Sequence, residues 1–188
     1  MSAERGHALL AIARGAIAAA LGEAGPCCEP AAWLEEKGAS FVTLMQRGEL
    51  RGCIGSLSAE RALRVDVEHN AVAAAFRDPR FAPLSRSEYA ETLVEVSLLS
   101  PLEPIEFESE SHALAQLRPG VDGVLLEYGG RRGTFLPQVW EQLPEPDAFL
   151  AHLKHKAGLP PGFWVPDLKL SRYTVSKWCE AHPRRDTW

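Results

Sequence analysis

Apolar residues recur along this chain with two distinct periods, and the change from one to the other marks its elements. Leu9, Leu10, Ala13, Ile17, Ala20 and Leu21 return at helical spacing, which predicts an amphipathic helix over residues 3–21, begun by Ser2 and stopped near Gly22. Gly25, Pro26 and Pro30 read as a connector. Ser40 to Gln46 and Leu50 to Gly55 then read as two strands of a hairpin turned through Arg47-Gly48-Glu49. Ser58 is placed to cap a helix running to about Arg77. At 100° per residue, Leu63, Val67, Ala71 and Ala74 form one stripe of that helix. Val65, Val72 and Phe76 form a second stripe on nearly the opposite side, so the helix is expected to be buried on two sides. Asp78-Pro79 ends it, because proline disfavours helical geometry in its predecessor.

The second half alternates helix and strand signals as well, without a sequence repeat. Ser85 and Glu88 fit a capping box, and Thr92 to Ser100 alternates Val94, Val96 and Leu98 against Leu93, Glu95 and Ser97. A helix is expected over Glu110 to Leu117. Val121 to Tyr128 and Gly133 to Leu136 read as a hairpin turned by Gly129-Gly130-Arg131-Arg132. Pro146 and Asp147 open a helix that carries Phe149, Leu150, Leu153 and Ala157 inward and ends at Gly158. Leu168, Leu170, Arg172 and Thr174 predict a last strand. The fold class is therefore α+β. Residues 1–180 are expected to form one domain, or two small lobes sharing a sheet, with residues 181–188 as a tail.

Composition narrows the function classes. The 188 residues are 46% hydrophobic and carry a net charge of −5, which argues against a dedicated nucleic-acid binder, and no zinc-finger, helix-turn-helix or RNA-binding pattern is present. Charge is uneven: residues 87–110 hold seven glutamates and no lysine or arginine, while residues 46–86 hold seven arginines, and a solvated acidic face is the expected meaning. The N-terminus lacks a signal pattern and no stretch reads as a membrane span, so the expected location is cytoplasmic. The cysteines at 27, 28, 53 and 179 show no metal-ligand spacing, in keeping with a reducing compartment. His152 and His155 lie three apart on a helix without a third ligand and read as surface residues. No metal or cofactor is predicted.

The pentapeptide Arg51-Gly52-Cys53-Ile54-Gly55 is the main chemical candidate. In a strand, Arg51 and Cys53 share a face, so the guanidinium is placed to favour the thiolate, the reactive form of cysteine. A buried packing role for Cys53 competes with this reading. Asn70 falls within the first apolar stripe of its helix, where an amide needs partners; it is either a candidate orienting group or the partner of a backbone turn. Arg77 and Arg80 flank the turn after that helix, placed to compensate its dipole or to receive an anion.

Several blocks in order carry a further signal. They are Phe41-Val42-Thr43-Leu44, Leu50-Arg51-Gly52-Cys53-Ile54-Gly55, Asn70-Ala71 and Ala74-Ala75-Phe76-Arg77-Asp78-Pro79-Arg80-Phe81. Glu95-Val96-Ser97-Leu98-Leu99, Asp122-Gly123-Val124, Leu136-Pro137-Gln138-Val139 and Lys156-Ala157-Gly158-Leu159-Pro160-Pro161 follow. With these blocks the chain resembles, over roughly residues 8–178, the AMMECR domain family, whose prokaryotic members are called AmmeMemoRadiSam system protein A. The resemblance implies two related strand-and-helix units around a curved, barrel-like, mixed or antiparallel sheet. It also implies association with a Memo-type protein and a radical S-adenosylmethionine protein. One departure stands out: Lys154 and His155 occupy the region where family members often carry a second cysteine, which removes support for any mechanism needing a thiol there.

Two functions follow as expectations. One is an enzyme or accessory component acting on a small molecule or modified group in a cleft near Cys53. There Cys53 serves as nucleophile, Arg51 supports its thiolate, Asn70 orients the reacting group, and Gly52, Gly55, Arg77, Arg80 and Gln138 contact the ligand. The alternative is a non-catalytic ligand-binding protein or adaptor, in which the same residues recognise a ligand or an extended partner segment and Cys53 packs.

Overall fold

The computed structural model describes residues 2–181; the side chain of Ser2 and the tail from residue 182 onward, both invoked above, lie outside the described residues. In chain order the elements are α1 (Ser2–Leu21), α2 (Ala32–Glu35), β1 (Lys37–Gly38), β2 (Ser40–Gln46), β3 (Glu49–Gly55), β4 (Arg61–Ala62), α3 (Leu63–Phe76), α4 (Arg86–Tyr89) and β5 (Thr92–Leu99). Then come β6 (Glu103–Pro104), α5 (Glu110–Gln116), β7 (Gly123–Tyr128), β8 (Arg131–Phe135), a 3-10 turn (Pro137–Glu141), α6 (Pro146–Lys156), β9 (Lys169–Tyr173) and β10 (Val175–Cys179).

The described residues divide into two compact units, one formed by residues 2–99 with 176–181 and the other by residues 100–175. Each has its own sheet and core. The chain is thus α+β with antiparallel pairing between β2 and β3, β2 and β5, β6 and β9, β7 and β8, and β7 and β9. No closed barrel is found among the described residues: the strands order as two open four-stranded sheets, β10-β5-β2-β3 and β6-β9-β7-β8.

In the first unit, strand alternation buries one face of the sheet under α1 and α3. Val42 and Leu44 of β2 and Val94 and Val96 of β5 meet Leu9, Ala13 and Ile17 of α1 and Val67, Ala71 and Ala74 of α3. The small side chains of α3 let helix and strand approach closely. A Cβ on Gly52 would lie 2.2 Å from the carbonyl oxygen of Ala74, so only glycine fits there. Helix α3 begins later than its sequence pattern predicts, because Arg61–Ala62 pairs with Lys37–Gly38 as a short two-stranded ladder. The Leu63 N–H then finds the carbonyl of Glu36 at 2.8 Å, and Ser58 is not the cap. The second stripe is also only partly correct: Val72 and Phe76 are half-buried, but Val65 is 47% exposed.

The second unit packs α5 and α6 with β7, β8 and β9 around Val124, Leu126, Phe149, Leu150, Leu153 and Leu170. Trp140 stacks on Phe149 with ring centres 3.7 Å apart and donates its indole N–H to the carbonyl of Asp122 at 2.7 Å. Gly129 and Gly130 alone make the β7–β8 turn, so Arg131 and Arg132 belong to the strand rather than to the turn. No described helix is long and apolar enough to cross a membrane.

The acidic run over residues 87–110 is largely neutralised. Glu88 pairs with Arg51, Glu91 with Arg47, Glu95 with Lys177, Glu103 with Arg172 and Glu110 with Lys154. A sequence window sees only the glutamates, because each cation arrives from a distant segment.

Candidate functional site: a half-buried thiol at a capped sheet edge

Cys53 lies on β3, the edge strand of the first sheet, directly opposite Thr43 of β2. Its side chain is on the sheet face away from α1 and α3, half-buried, and the Thr43 hydroxyl donates to its sulfur at 3.3 Å. Its backbone points outward from the sheet, where a neighbouring strand would ordinarily bond. Two side chains stand in for that strand: the Cys53 N–H donates to Asp78 Oδ2 at 2.9 Å, and Arg80 Nη2 donates to the Cys53 carbonyl at 3.3 Å.

Asp78 and Arg80 are themselves joined. Arg80 Nη2 lies 2.7 Å from Asp78 Oδ2, and the side chain of Asp78 is only 2% exposed. The hydrogen bond from the Arg80 guanidinium, helped by the N–H groups of Cys53 and Arg80, holds the Asp78 carboxyl far below the usual carboxylate range against the opposing effect of burial. The same bond raises Arg80 against the opposing effect of burial, with smaller contributions from the charges of Asp78 and Cys53. The proline that breaks the helix therefore also positions the pair: Asp78-Pro79-Arg80 turns back onto the strand edge.

Arg51 is placed differently from its sequence expectation. Gly52 opposes Leu44 and Leu50 opposes Met45, which leaves Arg51 as the extra residue of a β-bulge. Its Nε lies 3.0 Å from Glu88 Oε1 and its Nη2 donates to the Ala82 carbonyl at 2.9 Å. Nη1 is buried without a partner among the described atoms. Glu88 in turn completes the predicted capping box with Ser85, and the Arg51 hydrogen bond, followed by those from Ser85, holds its carboxyl down to about 2. The guanidinium that reaches Cys53 is therefore that of Arg80, on its carbonyl, and Arg51 braces α4 against the bulge. The ring centre of Phe81 lies 5.9 Å from the Arg51 guanidinium and 5.4 Å from that of Arg80.

Asn70 is 1% exposed and sits on the helix-covered side of the sheet, away from the thiol. Its amide donates to the Ser40 carbonyl at 3.0 Å, to Ser56 Oγ at 3.1 Å and to Asp66 Oδ2 at 3.0 Å. Asp66, fully buried, also accepts from the Ser40 N–H and hydroxyl and from Ser56, and Arg61 lies 3.3 Å away. With its donors committed, Asn70 locks the exit of β3 and is not an orienting group at sulfur. Gly52 and Gly55 likewise serve packing. A Cβ on Gly55 would lie 2.2 Å from the Phe41 ring. Arg77 is exposed at the end of α3, and Gln138 is exposed on the 3-10 turn of the second unit.

Sequence reasoning missed Glu95. It opposes Thr43 on β5 and shares the face of Cys53, where Lys177 Nζ lies 2.9 Å from Oε1 and Cys179 Sγ donates to Oε2 at 2.9 Å. Burial, followed by the Glu95 contact, pushes the Cys179 thiol up to about 11. Alternation in β5 could have found it, since Glu95 lies between the inward Val94 and Val96. A cleft of about 550 Å³ in the first unit is lined instead by His7, Leu10, Arg14, Leu93, Cys179 and Glu180. No cluster of metal-ligating side chains occurs among the described residues.

Comparison with known proteins gives a consistent family. The chain is 39% identical over 157 residues to protein MJ0810 of Methanocaldococcus jannaschii, covering 79% of this chain and 76% of that one. It is 35% identical over 201 residues to a protein of Thermofilum pendens, covering 99% and 94%. The crystal structure of PH0010 from Pyrococcus horikoshii, described only as uncharacterised, superposes with a TM-score of 0.80 at 35% identity, covering 95% of this chain and 93% of that one. The AMMECR1 family model matches residues 10–178, and this chain belongs to the AMMECR1 family.

Proposed function

We propose that this protein performs thiol chemistry on a small molecule or modified group, as an enzyme or accessory component of a pathway that includes Memo-type and radical S-adenosylmethionine proteins. One observation carries the reading: Cys53 is only half-buried, its sulfur accepts a hydrogen bond from the Thr43 hydroxyl at 3.3 Å, and the Arg80 guanidinium reaches the carbonyl of the same residue at 3.3 Å. In this reading Cys53 is the nucleophile or covalent carrier, and Thr43 and Arg80 support its charge. Arg77 and the exposed side of Arg80 receive an anionic part of the substrate. The family's prokaryotic name supports the pathway assignment.

The test is alkylation with iodoacetamide at pH 7, mapped by mass spectrometry. Cys53 should label faster than Cys27, Cys28 and Cys179, and Thr43→Val should slow it about tenfold by removing the hydroxyl donor. Labelling of Cys53 no faster than that of the exposed Cys27 overturns the reading.

A non-catalytic ligand-binding or adaptor role is favoured by a different observation, the neutralisation of Arg51 by Glu88 and of Arg80 by Asp78. Its strand-addition form is opposed by the edge itself, because Asp78 and Arg80 already occupy the backbone groups of Cys53 that an added strand would use.

A further inference from the structure

We infer that the second unit holds a separate binding site, independent of Cys53, for a small zwitterion of the free amino acid class. A cavity of about 270 Å³ lies at one end of the second sheet, where β7 ends and β8 and β9 begin. Register brings both signs of charge to it. Glu127, on β7, pairs with Arg132 of β8 on one side and with Lys169 of β9 on the other, so the three side chains share a sheet face. That face is opposite the one that turns Val124, Leu126 and Leu170 into the core. Asp167, two residues before Lys169, and Arg131, one before Arg132, line the same cavity. Neighbouring strands run about 4.8 Å apart, so a ligand with an ammonium and a carboxylate on one carbon can reach acid and base side by side.

These charges are not spent on one another. Glu127, Asp167 and Lys169 form no ion pair with a described residue, whereas Glu88, Glu91, Glu95, Glu103 and Glu110 each have a cation. Arg131 is already aimed. Its Nη1 donates to the Gly158 carbonyl at the end of α6, which fixes the guanidinium at the cavity, and none of its other N–H groups bonds to a described residue. A Cβ at Gly129 or Gly130 would meet nothing within 4 Å, so the turn between β7 and β8 leaves the mouth clear. A simple anion entering here would be repelled by Glu127 and Asp167, and a simple cation by Arg131, Arg132 and Lys169. A ligand carrying both signs satisfies both sets: its ammonium donates to Glu127 and Asp167, and its carboxylate accepts from Arg131 and Lys169. The volume, 270 Å³, falls below the roughly 300 Å³ at which sites for larger ligands begin, which suits one amino acid rather than a peptide.

The test is isothermal titration of the intact protein at pH 7 with each of the twenty standard L-amino acids, and with propionate and propylamine as probes that carry one charge each. At least one amino acid should bind with one-to-one stoichiometry, and both single-charge probes should bind at least about tenfold more weakly. Glu127→Gln and Lys169→Met should each weaken binding of that amino acid about tenfold, with the circular dichroism spectrum unchanged. Arg77→Ala, in the first unit, should bind it as the unsubstituted protein does. Absence of binding by all twenty at about 10 mM overturns the inference and leaves the reading of Cys53 standing. Propionate or propylamine bound as tightly as the best amino acid also overturns it, and this comparison needs no variant to fold. Undiminished binding by both Glu127→Gln and Lys169→Met, or its loss in Arg77→Ala, puts the ligand elsewhere and overturns the assignment.

Discussion

Substitution of Glu110 by glutamine should cost far more stability than substitution of its partner Lys154 by methionine. The two charges of this pair are buried unequally: the Lys154 side chain is 0% exposed, while that of Glu110 keeps 40%. The ammonium lies 2.5 Å from Glu110 Oε1 and 3.1 Å from the Pro161 carbonyl, with the Trp164 ring centre at 5.3 Å. Glu110→Gln leaves a full positive charge without water, facing only neutral dipoles and a ring. Stranding one member of a buried pair costs about 3–5 kcal/mol. The exposure of Glu110 and the remaining amide oxygen reduce this to about 2–3 kcal/mol. Lys154→Met removes the stranded charge and fills similar space, while Glu110 turns to solvent, so the change should stay within about 1 kcal/mol. The double variant should resemble Lys154→Met. Urea unfolding at pH 7, followed by tryptophan fluorescence and circular dichroism, measures all three. A Glu110→Gln variant as stable as the unsubstituted protein, or a Lys154→Met variant less stable than Glu110→Gln, refutes the reasoning.

Other outcomes follow from the same structure. Asp78→Asn should destabilise the first unit by about 1–2 kcal/mol, measured by urea unfolding, because the buried carboxylate's charge-assisted hydrogen bonds are weakened while Arg80, 53% exposed, stays solvated. The carboxyls of Asp78 and Glu88 are both held below their unfolded values, so their stabilisation is present above the ordinary carboxylate range and is lost as pH falls, through about 2 for Glu88 and further down for Asp78. Asp78→Asn and Glu88→Gln should each flatten the acid limb of a stability–pH curve; an unchanged slope contradicts this. Cys179, pushed up to about 11, should be the slowest of the four cysteines to alkylate at pH 8, and Glu95→Gln should accelerate it. Gly52→Ala should cost about 1–3 kcal/mol in thermal or chemical unfolding, since its Cβ would meet the Ala74 carbonyl oxygen at 2.2 Å.

What could be read from sequence was what is local. The alternation of β2 and β5, the Ser85–Glu88 capping box and the helix stop at Pro79 each depend on residues within a few positions, and each is present. The two-residue strands β1, β4 and β6 are too short to show a period, and β10 mixes Val175, Ser176, Lys177, Trp178 and Cys179 without clean alternation. The site suffered more, because its partners are distant in sequence. Arg51 and Cys53 share the same strand, but a bulge sends the guanidinium to Glu88. Asp78 and Arg80 reach Cys53 from 25 and 27 residues away, and Asn70 finds Ser40 from 30 away. Glu95 looked like one more surface charge until the register placed it beside Thr43.

The fork that Asp78 and Arg80 make on Cys53 has a counterpart in the other sheet. There the outer strand β8 is covered by α6, with Ala157 against Gly133 and the Lys156 ammonium on the Thr134 carbonyl at 2.9 Å. An unpaired strand margin is where identical chains template one another into aggregates and fibrils. In β3 and β8 the backbone groups that an added strand would use are taken by charged side chains, so pairing with a second copy along these margins first requires breaking those bonds.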